Sequence, residues 1–140
     1  VWSYSPQGQL LSVRDRHGNV TRYEYDLGRL VRIIDPANLT TTFHYSGSQI
    51  TSIEDPTGRT TALDLDAAGD LVRISDPDGA TRQWTYDNRH LMVTEIDPRG
   101  FREEAEYDQF GRITAAVRAD GSQVAVAAPD TPLPDLPVLG

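Results

Sequence analysis

The sequence has no cysteine and no lysine, and all 13 of its basic side chains are arginine. Without cysteine there are no disulfides, no thiolate nucleophile and no cysteine-ligated zinc site. Without lysine there is no Walker A phosphate loop and no Schiff-base chemistry. These absences remove several large classes of enzyme and metalloprotein before any motif is considered.

Long apolar runs are also missing. No segment approaches the roughly 20 apolar residues that a membrane-spanning helix needs, and the first residues, Val1 to Tyr4, do not resemble a signal peptide. The net charge of -8 argues against nucleic-acid binding, which needs clustered basic side chains. The composition is 38% apolar, which is typical of a soluble protein. Because the chain starts without Met and inside a repeat, we expect a fragment of a longer protein.

An aromatic residue followed by an acid recurs with a fixed period. It is seen directly in Tyr25-Asp26, Tyr86-Asp87 and Tyr107-Asp108. The equivalent positions along the whole chain are 4, 25, 45, 65, 86 and 107, and successive positions are 20 or 21 residues apart. A period of this size indicates a tandem structural repeat.

Ten of the 11 glycines follow the same period in two sets. Glycine tolerates positive φ, so each set indicates a tight turn once per repeat. Asn38 and the stretch Asn88-Arg89-His90 fill the slots that lack glycine. The first set lies just after the aromatic-acid pair, at Gly8, Gly28, Gly47, Gly69 and Gly111. The second lies at Gly18, Gly58, Gly79, Gly100 and Gly121, in three cases after an Asp-Pro pair.

Short strands are predicted between the turns. One type alternates apolar and polar residues, as in Tyr23-Glu24-Tyr25, which indicates a strand with one buried face. The second type, such as Leu30 to Ile33, places its outer apolar residues three apart, and a β-bulge near the turn would bring both to one face. In the fifth copy Glu95 takes the usual Val or Ile slot, and we expect a local adjustment that turns Ile96 inward.

The predicted fold is therefore all-β, with six strand–turn–strand–turn repeats of about 21 residues over residues 1–126. Chained together, they give about twelve short antiparallel strands in a twisted continuous sheet. Residues 127–140 carry four of the nine prolines. Since proline cannot donate to a sheet ladder, this segment is predicted to be an extended linker, or a strap on an apolar surface through Leu133, Leu136 and Leu139.

The phrase Tyr-x-Tyr-Asp-x-x-Gly-Arg-Leu-x-x-Ile-x-Asp-Pro-x-Gly-x-x-Thr is spread over these copies, for example from Tyr23 to Pro36 and from Leu71 to Thr81. It resembles the YD repeat of bacterial Rhs proteins, toxin-complex components and teneurins. The resemblance implies a sheet that spirals into a hollow β-shell, which in bacterial members encloses a toxic C-terminal polypeptide. The self-cleaving core of that family is not matched in this chain.

The repeat positions are interpreted as structural, and no catalytic, cofactor-binding or metal-binding residue is expected. Equivalent strands of successive repeats are roughly 9.5 Å apart, too far for one calcium ion to bridge two turn aspartates. The histidines occupy three non-equivalent slots, and His44 is expected to point outward. The structural repeat positions are Tyr25, Asp26, Gly28, Tyr45, Asp55, Pro56, Gly58, Asp76, Pro77, Gly79, Tyr86, Asp87, Asp97, Pro98, Gly100, Tyr107, Asp108 and Gly111.

The arginines near acids are interpreted as cross-strand partners on the polar face of the sheet. This applies to Arg29, Arg32, Arg73 and Arg112. The aromatic residues are expected on the opposite face, where packing in a core is favoured, although an isolated fragment would leave that face exposed.

The predicted function is a structural segment of an Rhs-type β-shell that encapsulates a toxic effector for delivery. The alternative is a module that binds carbohydrate or a cell-surface partner through the aromatic face. Expected partners are the other repeats of the parent chain and the enclosed toxin. Further copies of this chain are also expected as partners, because edge strands have unpaired backbone groups that can pair with another chain. The parent protein is expected to be soluble and secreted or delivered from a bacterial cell.

Overall fold

The computed structural model describes residues 1–126, and this part of the chain contains thirteen β-strands and no helix. The strands are hydrogen-bonded to one another in sequence order. They are β1 (Trp2–Tyr4), β2 (Leu10–Arg14), β3 (Val20–Asp26), β4 (Arg29–Ile34), β5 (Thr40–Ser46), β6 (Gln49–Glu54), β7 (Thr60–Leu65), β8 (Leu71–Ser75), β9 (Thr81–Tyr86), β10 (Met92–Ile96), β11 (Arg102–Tyr107), β12 (Ile113–Val117) and β13 (Gln123–Ala125).

The all-β hairpin architecture predicted from the repeats is confirmed. There is one strand more than the twelve expected, because β13 pairs antiparallel with β12. By its contacts the described part of the chain divides into two units, a first unit of residues 1–82 and a second unit that begins at residue 83. Within each unit, neighbouring strands run antiparallel, as hairpins require.

Ten of the connections share one turn geometry. In each, the first residue donates its N–H to the carbonyl of the fifth, and the fourth donates to the carbonyl of the first. The fourth residue has positive φ, so each is a three-residue hairpin loop, a type I turn followed by a left-handed residue. The first residues of these turns are Ser5, Asp15, Asp35, Asp55, Asp66, Asp76, Asp87, Asp97, Asp108 and Arg118.

The remaining two connections are two-residue hairpin turns. Asp26 pairs directly with Arg29 across Leu27 and Gly28, which both have positive φ, as a type I′ turn requires. Ser46 pairs with Gln49 across Gly47 and Ser48, of which Gly47 alone has positive φ, as in a type II′ turn. These shorter loops explain the 20-residue steps in the repeat.

The β-bulges expected near the turns are confirmed. In the second repeat Tyr25 pairs with Leu30 and Glu24 with Arg32, so Val31 is the extra residue. The same register shift occurs next to Tyr4, Tyr45, Leu65, Tyr86 and Tyr107. Because directly opposed residues share a face, each bulge brings the outer apolar residues of the second strand to the side that carries the rings.

The sheet therefore has two faces of different chemistry. The aromatic face, typified by Tyr23, Tyr25, Leu30 and Ile33, consists of the ring-bearing residues and their cross-strand partners. The polar face consists of the residues between them. Its cross-strand pairs include Ser3 with Ser12, Glu24 with Arg32, Asp64 with Arg73 and Thr85 with Thr94.

In the part of the chain that the structure describes, neither unit has a core of the usual kind. No apolar side chain among residues 1–126 is buried, and the buried residue there is Thr94, at 9% exposure. The rings of Tyr25, Phe43 and Trp84 are half-buried, whereas Trp2 is 63% exposed. The aromatic face is thus the exposed face of a single layer, and packing in a core, the favoured interpretation of the sequence, does not occur in residues 1–126.

The expected rearrangement at Glu95 was wrong. Glu95 pairs with Trp84 and Ile96 with Gln83, so Glu95 lies on the aromatic face and Ile96 on the polar face. The turns on both sides of β10 have the common geometry and set its register, and a one-residue slip would have moved every side chain of the strand to the other face. The predicted linker or strap at residues 127–140 lies outside the described residues.

Candidate functional site: the repeat turns and the aromatic face

Aspartate at the first turn position caps the turn backbone. In the turn that starts at Asp55, the Oδ1 atom accepts the N–H of Thr57 at 2.8 Å and that of Arg59 at 3.0 Å. The Arg59 Nε atom donates to Oδ2 at 2.7 Å. The carboxylate thereby satisfies two turn amides that the ladder leaves unpaired. The same pair of backbone bonds is made by Asp15, Asp35, Asp66, Asp87, Asp97 and Asp108.

Asp76 and Asp26 depart from this pattern. The turn that starts at Asp76 keeps the backbone bonds of the others, but the Ala80 N–H donates to the carboxylate of Asp78 at 3.0 Å. Asp26 lies at the end of β3 and pairs with Arg29 in the two-residue turn. The aspartates that the sequence groups together thus fill more than one role.

The hydrogen bonds of the capping aspartates lower their pKa values. For Asp55 the largest cause is the hydrogen bond from the Thr57 hydroxyl. Together with bonds from the Arg59 amide, the Arg59 side chain and the Thr57 amide, it outweighs desolvation and lowers the pKa. For Asp108 the Arg112 amide contributes most to the lowered pKa. For Asp97 desolvation is the largest influence and raises the pKa, but bonds from Phe101 and Arg99 reverse it. Such groups favour the ionised form and are poor proton donors at neutral pH.

Within residues 1–126, positive φ is found at the ten repeat glycines and at three other residues, Leu27, Asn38 and His90. Asn38 fills the glycine slot as the sequence indicated. In the fifth repeat, however, the left-handed residue is His90, with φ 63°, and not the more tolerant Asn88. The left-handed residue lies three positions after the turn aspartate, both after Asp35 and after Asp87. Counting three positions from Asp87 would therefore have located it.

The tyrosines that precede the turn acids fasten one repeat to the previous one. The hydroxyl of Tyr25 donates to the carbonyl of Leu10 at 3.1 Å, and that of Tyr45 donates to Leu30 at 2.8 Å. In the second unit Tyr107 donates to Met92 at 2.7 Å. Each bond spans 15 residues, and each gives a half-buried ring a polar contact that fixes its orientation.

Two of the four arginines named above have the cross-strand partners expected. Arg32 contacts Glu24 at 2.6 Å and Arg73 contacts Asp64 at 2.7 Å. For the other two the expectation was wrong. Arg29 donates to the Gly47 carbonyl in the next turn and lies 5.0 Å from the Tyr45 ring centre, while Arg112 binds Asp108 within its own turn.

Side chains also connect successive turns along one edge. Besides Arg29, Gln49 donates to the carbonyl of Asp66 at 3.4 Å, and Arg89 donates to the carbonyl of Asp108 at 2.7 Å. This contact was not expected from the sequence. The sequence does carry one indication of this contact, which is a long side chain with hydrogen-bond donors at or just before the end of the turn in these copies.

A family model described as RHS Repeat matches residues 4–36, 45–79 and 66–102. Together these ranges cover well over half of the sequence. The chain belongs to the RHS repeat family. A search of curated proteins found no match.

Solved structures share the fold of this RHS repeat chain at low identity. One is described as TcdB2-TccC3, with 16% identity, a TM-score of 0.59 and coverage of 90% of this chain but 8% of that one. Another is the Photorhabdus luminescens Tc holotoxin pore, with 14% identity, a TM-score of 0.54 and coverage of 83% of this chain and 9% of that one. The chain therefore spans less than a tenth of the length of these structural relatives.

The RHS repeats bring the acids together as turn caps and not as a metal centre. Within residues 1–126 no group of three or more His, Asp or Glu side chains is placed to hold a metal ion. His17 accepts a bond from Arg16, and His44 contacts Glu54 at 3.3 Å on the polar face, pointing outward as expected. The same part of the chain has no helix long and apolar enough to cross a membrane.

Proposed function

We propose that this chain is a wall segment of a longer Rhs-repeat protein whose repeats form a β-shell around a toxic C-terminal effector before delivery. The observation that carries the proposal is the absence of any buried apolar side chain in residues 1–126. A single-layer sheet of half-exposed rings cannot bury enough surface alone, so it depends on adjoining repeats or on an enclosed polypeptide.

The regularity of the hairpins supports a wall built by repetition. The turn aspartates satisfy their own loops, and the tyrosine hydroxyls fasten each ring to the preceding repeat. Each repeat thereby presents its neighbour with the same ladder and the same contacts, which allows further copies to be added. Such a wall excludes water and proteases through continuous backbone hydrogen bonding, and no single residue has to perform chemistry.

The matched family and the structural relatives support this role. One of the two structural relatives named above is described as a Tc holotoxin pore, and this chain corresponds in fold to a small part of each. In our proposal its partners are the other repeats of the parent chain and the enclosed toxin, and the parent protein is exported from a bacterial cell.

The carbohydrate-binding alternative has less support. A sugar-stacking platform needs rings that present their faces freely, whereas Tyr25, Tyr45 and Tyr107 are fixed by bonds from their hydroxyls to backbone carbonyls. The Tyr45 ring is further covered by the guanidinium of Arg29.

Protease digestion of the full-length parent protein tests the proposal. We expect its C-terminal domain to resist digestion in the intact protein and to be cut rapidly when expressed alone. Deleting one whole repeat, residues 47–66, should open the wall and remove the protection. Asp76→Asn, which leaves the turn backbone bonds in place, is the control and should keep it. Equal digestion rates in intact parent and free domain would contradict the proposal.

A further inference from the structure

Side chains fasten the strands of the first unit in two kinds of place. Within a hairpin, a pair of side chains joins the two strands on the polar face, as Glu24 does with Arg32 and Asp64 with Arg73. Between hairpins the fastening is made by a tyrosine of the aromatic face. We call the boundary between one hairpin and the next a seam, and the first unit contains the β2–β3, β4–β5 and β6–β7 seams.

The backbone does not distinguish these three seams. Each ladder joins three residue pairs in antiparallel register. Each seam also ends in a turn that is capped by its first residue, which is Asp15, Asp35 or Asp55. Differences in stability between the seams therefore come from side chains that cross them.

Two of the seams are fastened at the end away from their turn. At the β4–β5 seam the Tyr45 hydroxyl donates to the Leu30 carbonyl at 2.8 Å, and Tyr25 makes the equivalent bond at the β2–β3 seam. Arg29 crosses the β4–β5 seam in the other direction, because it donates to the Gly47 carbonyl and covers the Tyr45 ring. The β4–β5 seam is thus held from both sides.

The β6–β7 seam lacks this fastening. The tyrosine slot of β7 holds Leu65, which has no hydroxyl, so the Ile50 carbonyl cannot receive the bond that the Leu30 carbonyl receives. Among the described residues, the side-chain hydrogen bond that crosses this seam runs from Gln49 to the Asp66 carbonyl. At 3.4 Å it is longer than the roughly 3.2 Å that such bonds usually reach. Of the three seams, this one is held least by side chains.

We propose that the first unit opens first at the β6–β7 seam, starting at the end that carries Ile50 and Leu65. The capped turn at Asp55 joins the two strands at the other end and acts as the hinge. In a tandem array each repeat is stabilised by its neighbours, so the weakest interface decides where the array parts. In the wall proposed above, this seam is where the segment yields first. That role rests on the proposed function, whereas the opening is measured on the chain alone.

Amide hydrogen exchange of the full chain in low urea tests the proposal. Exchange through local opening reports an opening constant for each amide once the intrinsic exchange rate is divided out. For amides that bond across the β6–β7 seam, we expect an opening constant about fivefold larger than for those across the β4–β5 seam, the factor for one ordinary hydrogen bond. Equal constants at the two seams, or a larger one at β4–β5, would overturn the proposal.

Leu65→Tyr supplies the hydroxyl that this seam lacks. It should lower the opening constant of the β6–β7 seam about fivefold, because the new side chain can donate to the Ile50 carbonyl. Leu65→Phe is the matched control, since it adds the ring without the hydroxyl, and the seam should open about fivefold more readily in it than in Leu65→Tyr. The same opening constant in both variants would contradict the proposal.

Tyr45→Phe makes the reverse change at the β4–β5 seam. That seam should then open about fivefold more readily, while the opening constant of the β6–β7 seam stays as it was. If both seams changed together, the sheet would open as one body and the proposal would be wrong. A circular dichroism spectrum of each variant shows whether the sheet is intact. None of these measurements involves cargo, so their failure would leave the shell proposal to be judged by protease protection.

Discussion

In residues 1–82 the slot opposite the first ring of each hairpin holds Val13, Ile33, Ile53 or Ile74, whereas in residues 83–126 it holds Glu95 and Ala116. The pairing, the bulge and the turn geometry are nevertheless the same in both regions. This comparison shows that the turns and the hydrogen-bonded ladder set the register of the strands. The apolar residues in the slot opposite the first ring add stability to a register that is already specified.

Exchanging the slot residue between the regions should have the largest effect. Ile53→Glu places a charge on an apolar stripe where Ile53 is half-buried, and we expect a loss of about 2 kcal/mol in the free energy of unfolding of the first unit. Glu95→Ile should stabilise the second unit by about 0.5 kcal/mol, because Glu95 is paired directly with Glu103.

Urea unfolding followed by tryptophan fluorescence measures the two effects separately. Each unit contains one tryptophan, Trp2 or Trp84, so Trp84→Phe leaves a reporter for the first unit and Trp2→Phe one for the second. An unchanged unfolding transition in the Ile53→Glu variant would mean that the apolar residues in this slot contribute nothing to the stability of the first unit.

The left-handed turn residue should give the second largest effect. Gly58 has φ +83°, and no atom lies within 4 Å of the position that a Cβ would take. Gly58→Ala therefore tests backbone strain alone and should lower the free energy of unfolding by about 1–2 kcal/mol. The matched change in the second unit is His90→Gly, where a non-glycine residue has φ 63°, and it should stabilise by about 1 kcal/mol. Effects of the same sign in both variants would contradict this account.

The tyrosine hydroxyl bonds should contribute less and equally in the two regions. Tyr45→Phe and Tyr107→Phe each remove one bond to a backbone carbonyl, and we expect a loss of about 1 kcal/mol in each case. Tyr23→Phe is the control, since the Tyr23 hydroxyl makes no hydrogen bond within the described residues. The urea midpoint measures all three, and a control as costly as the other two would show that the bonds are not responsible.

Much of the fold could be predicted because two sets of residues, the tyrosines and the glycines, repeat along the sequence with the same period. The bulge was also predictable, since Leu30 and Ile33 cannot face the same way in a regular strand. The prediction at Glu95 was wrong because we assumed that this slot would be buried and would exclude a carboxylate. The aromatic face is exposed to solvent, however, and the turn at Asp97 fixes the register of β10.

The site was less predictable than the fold. That Asp55 caps its turn while Asp76 leaves the cap to Asp78 depends on side-chain rotamers, which the shared Asp-Pro sequence does not distinguish. The link from Arg29 to the next turn depends on how far successive turns lie apart, which the period alone does not give.

The capping aspartates give the smallest expected effect, which appears only in acid. Bonds from Thr57 and Arg59 lower the pKa of Asp55 in the folded chain, whereas the unfolded chain has an ordinary value of about 3.9. The stability that the ionised cap contributes is therefore fully present above about pH 4 and is lost as the pH falls towards the folded value. Asp55→Asn removes the titrating group and should flatten this part of the profile.

Asp76→Asn is the matched comparison, because both aspartates precede proline and start the same backbone turn, but the Ala80 amide bonds to Asp78 and not to Asp76. The urea midpoint of the first unit, measured from about pH 6 to about pH 2.5, should fall less steeply in the Asp55→Asn variant than in the unchanged chain. In the Asp76→Asn variant it should fall as steeply as in the unchanged chain. Equal slopes in the two variants would mean that acid sensitivity does not depend on the bonds a turn carboxylate makes, and that the caps tune the loops without linking them to pH.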